Sequence, residues 1–135
     1  MTAPAAPFLD SNILLYAYSD DRRSAAAKKI TSEPFSISVQ ILNEFANVSA
    51  KKQKLDWDTI EERLTAIVTL AETIVPLTME THLLGIEIAR RYRLQLHDSM
   101  IVAAALLADC TTLHSEDMHH GLVIEDHLTI LNPFA

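Results

Sequence analysis

The sequence predicts an α/β protein with a central, mostly parallel sheet and helices on both faces. Three observations carry that prediction. Short β-type runs alternate with longer stretches of helical periodicity along the whole chain. No linker, repeat or low-complexity segment interrupts them, and 135 residues suit one domain, residues 1–135. Four carboxylates, Asp10, Glu44, Asp98 and Asp117, fall where an apolar run meets a polar one. In a parallel sheet, strand ends and the helix starts that follow them share one edge, where ligand sites form.

Phe8-Leu9 reads as a short buried strand, and Ser11 or Asn12 can cap a helix over Ile13 to Tyr18. Asp20-Asp21-Arg22-Arg23 is a polar turn, after which Ser24 caps an Ala-rich helix to about Ile30. Glu33-Pro34 ends it, because the residue before proline is pushed out of helical geometry. A second strand covers Phe35 to Val39, and Ser38 caps a long helix reaching Lys54. Asp56 caps the next helix, whose Trp57, Ile60, Leu64, Ile67 and Val68 recur at helical spacing and read as core.

Thr73 to Val75 is a third strand, and Thr78 caps a helix to Arg91. Gly85 inside that helix costs about 1 kcal/mol relative to alanine, which points to close packing against a neighbour. His97 to Asp109 is a further helix, Thr111 to Leu113 a fourth strand, and His127 to Leu131 a last edge strand. Right-handed crossovers keep the loops after the strands on one side.

Composition narrows the function classes. No apolar stretch approaches the ~20 residues of a membrane span, and Met1 to Pro7 lacks the basic and apolar regions of a signal peptide. The lone Cys110 has no partner for an internal disulfide, so a reducing cytoplasm is expected. A net charge of −7 argues against holding nucleic acid by charge alone. It does not exclude a nuclease, since several negative charges would be metal ligands. Basic clusters, Arg22-Arg23, Lys28-Lys29, Lys51-Lys52 with Lys54, and Arg90-Arg91 with Arg93, are either solvated surface or flanks that hold phosphates.

Four gathered acids repel one another unless protons or a cation intervene. Oxygen ligands suit a hard divalent ion, Mg²⁺ or Mn²⁺. Taken singly, Asp10 could be a helix cap, Glu44 an exposed helical acid, and Asp98 a helix-start acid stabilised by the macrodipole. Glu116 beside Asp117 is an alternative fourth acid. The histidines His114, His119 and His120 suggest a His-based or zinc site, but adjacent His119 and His120 point apart. With two glycines in the chain, no Gly-rich phosphate loop is possible.

Five stretches carry a family resemblance: Phe8 to Tyr16 around Asp10, Asn43-Glu44-Phe45, His97 to Ala105 around Asp98, Leu113 to Met118 around Asp117, and the ending Ile130 to Phe134. In that order and spacing they resemble a PIN-domain ribonuclease, and within that family the VapC-type toxins of type II toxin–antitoxin systems. The resemblance implies a PIN-like three-layer sandwich and an Mg²⁺-dependent endoribonuclease, with Mn²⁺ possible. One ion would be held by Asp10, Asp98 and Glu44. Asp117 with Ser115 would hold a second ion or orient the attacking water, and Asn12 would support the site.

Hydroxide attack in line would leave a 5′-phosphate on an RNA substrate, a tRNA or a short single-stranded site. The resemblance further implies a VapB-like antitoxin whose Arg enters among the carboxylates. It also implies a homodimer, with Leu83, Leu84, Ile86 and Ile88 offering the contact. Two rival readings stay open: an Mg²⁺-dependent phosphotransfer or phospho-accepting module, and a catalytically silent PIN-fold binding module. The former wants a second Asp two residues after the first, where Asn12 stands.

Overall fold

The structure is a computed structural model and describes residues 5–135. The expectation that Met1 to Pro7 is no leader therefore falls largely outside the described residues. In chain order the elements are β1 (Phe8–Leu9), α1 (Ser11–Ala17), α2 (Ser24–Thr31), β2 (Ser36–Ser38), α3 (Val39–Lys51), α4 (Trp57–Leu70), β3 (Thr73–Val75), α5 (Met79–Tyr92), α6 (Leu96–Leu107), β4 (Thr112–His114), β5 (Val123–Ile124) and β6 (Leu128–Leu131). The strands form one sheet in the order β3-β2-β1-β4-β6-β5. Every pairing is parallel except that of β5 with β6.

The chain steps from β1 outward through β2 to β3, then returns past β1 to β4. With right-handed crossovers, α1 to α4 cover one face and α5 and α6 the other. The packing agrees: α1 lies against α2 and α3, α3 against α4, and α5 against α6, which rests on β2 and β3. This is the expected α/β sandwich. The order reverses between β1 and β4, and the carboxyl ends of strands at such a switch point are where open α/β sheets place ligand sites. Phe8, Leu9, Ile37, Leu113 and Ile130 are fully buried in the sheet beneath it. Among the described residues no helix is long and apolar enough to cross a membrane.

Three caps stand where the sequence puts them: Ser38 accepts from Ile41 N, Asp56 from Thr59 N and Thr78 from Thr81 N. Gly85 is also explained, since a Cβ there would run into the Met100 side chain of α6. Ser24 does not cap α2; its hydroxyl instead accepts from Asp21 N and shares a hydrogen bond with Ser19. In α4 only part of the apolar stripe is core: Ile60 and Ile67 are buried, whereas Trp57 is 66% and Val68 45% exposed. They sit at its outer flank, beyond reach of the sheet. On α5, Ile88 is buried and only Leu83 and Ile86 of the expected contact face outward with Met79.

The last strand is interior, not an edge, because β5 pairs outside it. The sequence hides that hairpin. Its turn, closed by His127 N–H donating to Ile124 O, places Glu125 and Asp126 at positive φ. Asn-Gly would be the usual choice there. Gly121, at φ +88, also serves a turn. Replacing Glu125-Asp126 by Asn-Gly should therefore stabilise the fold by about 1 kcal/mol. A urea denaturation midpoint that falls or stays fixed would contradict this.

Candidate active site

The helices α1 and α3 follow strands, and α6 runs back toward the start of β4, so all three begin at the same sheet edge. Asp10 occupies the step from β1 to α1 and is 6% exposed. Asp10, not Ser11 or Asn12, caps α1: its Oδ1 accepts from Ser11 N at 2.7 Å. Its Oδ2 accepts from Ser115 Oγ at 2.7 Å, across the β1–β4 switch point. Ser115 is fully buried and also accepts from Met118 N, so its hydroxyl serves Asp10 and not Asp117.

Glu44 sits in the second turn of α3 and Asp98 in the first turn of α6. Both charges reach Asp10. Burial pushes the Asp10 carboxyl up to about 6, outweighing the Ser115 and Ser11 hydrogen bonds, with Glu44 and Asp98 adding to the rise. Asp98 is also raised, by burial first, with His97 opposing and Asp117 contributing. Asp117 is exposed and takes Asn12 Nδ2 at 3.3 Å, while Asn12 Oδ1 receives Glu116 N at 3.5 Å. The fold thus draws Asp10, Glu44, Asp98 and Asp117 from four distant parts of the chain into one field.

Two residues at this edge escape sequence reading. His97 Nε2 contacts Glu44 Oε1. Gln40 Nε2 reaches Glu44 Oε1 at 3.4 Å and the His97 carbonyl at 3.2 Å, tying α3 to α6. Gln40 lies one turn before Glu44 on the same helix face, and that spacing is the signal that could have found it. The histidines singled out from sequence go elsewhere. His120 Nδ1 accepts from Asn132 N at 2.8 Å, and His119 is exposed. His114 lines a separate cleft with Ile30, Glu33 and Glu72, and burial pushes its imidazole pKa down.

As the side chains are turned, no three acid, histidine or cysteine groups among the described residues converge closely enough to hold one ion. Glu44 is engaged by His97, Asp117 by Asn12, and Asp10 by two donors. The chemistry of the donor set nonetheless fits a hard divalent cation. All four donors are carboxylate oxygens, and Asp10 and Asp98, raised first by burial, each also feel a neighbouring carboxylate whose charge a cation would offset.

Comparison with known proteins adds the family. The PIN domain profile matches residues 8–121. A toxin–antitoxin complex from Klebsiella pneumoniae is similar in structure, with a TM-score of 0.71, 23% identity and coverage of 95% of this chain and 98% of that one. VapC20 of Mycobacterium tuberculosis, a sarcin-ricin loop cleaving toxin, gives a TM-score of 0.63 at 13% identity, covering 80% and 87%. VapBC2 from Rickettsia felis, solved with a DNA fragment from its promoter, gives 0.60 at 19% identity, covering 83% and 87%. No curated protein matches significantly. With the profile spanning the site and most of the chain's length, this protein belongs to the PIN domain family.

Proposed function

We propose that the protein is a divalent-metal-dependent endoribonuclease, the toxin of a VapBC-type toxin–antitoxin pair. The observation that carries the reading is the buried Asp10 at the β1–β4 switch point, in the field of Glu44 and Asp98. Membership of the PIN domain family and the toxins among its structural neighbours support it. Asp10, Glu44 and Asp98 would hold Mg²⁺ or Mn²⁺, with Asp117 at the rim. When bound, such an ion supplies an acidified water and neutralises charge on phosphoryl oxygens.

The chain's own residues prepare that site. Ser11 N–H and Ser115 hydroxyl fix both oxygens of Asp10, and Asn12 steadies Asp117. Arg23 pairs with Glu116 beside Asp117, so the Arg22-Arg23 cluster lies at the flank where RNA phosphates would pass. The phospho-accepting alternative is not favoured: an Asp10 held by two donors and buried is poorly placed for in-line attack.

A VapB-like antitoxin is the proposed protein partner, supported by the toxin–antitoxin complexes among the neighbours. An antitoxin Arg pairing with the carboxylates would compete with the cation. A homodimer through the outward Met79, Leu83 and Ile86 of α5, a tRNA or ribosomal RNA target, and a cytoplasmic site of action complete the proposal. The test is cleavage of RNA by purified protein in Mg²⁺ or Mn²⁺. Activity should vanish in excess EDTA and in Asp98→Asn. Full cleavage in either case would sink the reading.

A further inference from the structure

Ser115, Glu116 and Asp117 follow β4 in a row, and the structure sends them to different places. Ser115 goes inward to Asp10 and Asp117 goes to Asn12. Glu116, between them, is taken from both sides by other groups: Tyr16 OH donates to its Oε1 at 2.6 Å, and Arg23 Nε pairs with its Oε2 at 2.5 Å. The Arg23 guanidinium also lies 4.9 Å over the Tyr16 ring. That ring is in turn braced edge-on by Phe134 at 5.3 Å. The Arg23–Glu116 pair is only about a quarter exposed, with side-chain values of 26% and 21%.

We propose that Tyr16, Arg23 and Glu116 are positioning residues that withhold Glu116 from the acid cluster and so assign Asp117 to it. This rests on the reading of the acids as a cation-holding active site. With one oxygen paired to the Arg23 charge and the other accepting from Tyr16, Glu116 is turned toward those two groups and its charge is neutralised there. The Tyr16 hydroxyl, pushed up to about 12 chiefly by its bond to Glu116, is the donor in that contact. The backbone follows the side chain. Glu116 N donates to the same Asn12 that donates to Asp117, so the anchor on Glu116 sets the register of the whole loop. An acid placed through a neighbour's contacts is tuned like a metal ligand oriented by its outer shell.

Mn²⁺ titrated into the full chain, with the free ion followed by electron paramagnetic resonance, tests the proposal without reference to cleavage. Tyr16→Phe removes no charge and should bind several-fold more weakly while circular dichroism stays that of the wild type. Glu116→Gln should lose about tenfold, more than Glu61→Gln, an exposed α4 acid that controls for one lost negative charge. The double variant should be no weaker than Glu116→Gln, since both changes act through one carboxylate. Wild-type affinity in folded Tyr16→Phe overturns the proposal. If Tyr16→Phe does not fold, equal affinities in Glu116→Gln and Glu61→Gln overturn it. A wild type that binds no Mn²⁺ overturns this proposal together with the cation-site reading. A wild type that binds Mn²⁺, with the variants in the expected order, but cuts no RNA overturns the ribonuclease reading alone.

Discussion

Asp10→Asn is expected to abolish RNA cleavage and, without a divalent ion, to make the protein more stable at neutral pH. The folded-state pKa of Asp10 is raised from 3.8 to about 6. The folded protein therefore favours the protonated form. The associated stability is fully present below the unfolded value and is lost as pH rises through about 6. At neutral pH the ionised carboxylate costs about 3 kcal/mol relative to a neutral group. An asparagine keeps one of the two contacts from Ser11 and Ser115 and weakens the other, offsetting about 1 kcal/mol. The net gain is thus about 2 kcal/mol, read as a shift in the urea midpoint with EDTA present. The wild type should gain stability on acidification to about pH 5, and the variant should not share that part of the gain. A variant less stable than wild type at neutral pH would contradict the burial argument, whatever its activity.

Cation affinity should be flat above neutral pH and fall by about tenfold per unit below about pH 6, because a carboxylate must lose its proton to become a ligand. Asp10 sets the onset, and the raised Asp98 steepens the fall at lower pH. The direction is opposite to that for metal-free stability: acid relieves the empty cluster and closes it to the ion. Calorimetric titration of Mn²⁺ across this range measures it directly. Equal affinity at about pH 5 and at neutral pH would show that Asp10 is not among the ligands.

Much of the fold and site was legible because local chemistry and global topology agree. Ser38, Asp56 and Thr78 announce helix starts that exist, and the strand–helix alternation fixes the sheet as mostly parallel. The candidate acids could be placed at one sheet edge for the same reason. What stayed hidden was set by tertiary context. The Glu125-Asp126 turn carries no hairpin signal, since its residues adopt a conformation that their side chains disfavour. Trp57 and Val68 follow the core periodicity, yet the edge of the helical layer leaves them outside. Asp10 doubles as a cap, which sequence spacing gave equally to Ser11 or Asn12. Glu116 is held by Tyr16 and Arg23, about a hundred residues away, and no local pattern encodes those contacts.

The central place of β1 has a consequence in time. Its two neighbours in the sheet come from opposite ends of the chain, β2 soon after it and β4 only after six helices have been made. A growing polypeptide therefore carries Asp10 and Glu44 long before it can bury the first or bring up Ser115 and Asp117. No partial chain holds an assembled site. During synthesis the four acids would stay dispersed until nearly all of the chain has left the ribosome, which under the proposed toxin reading is a built-in delay.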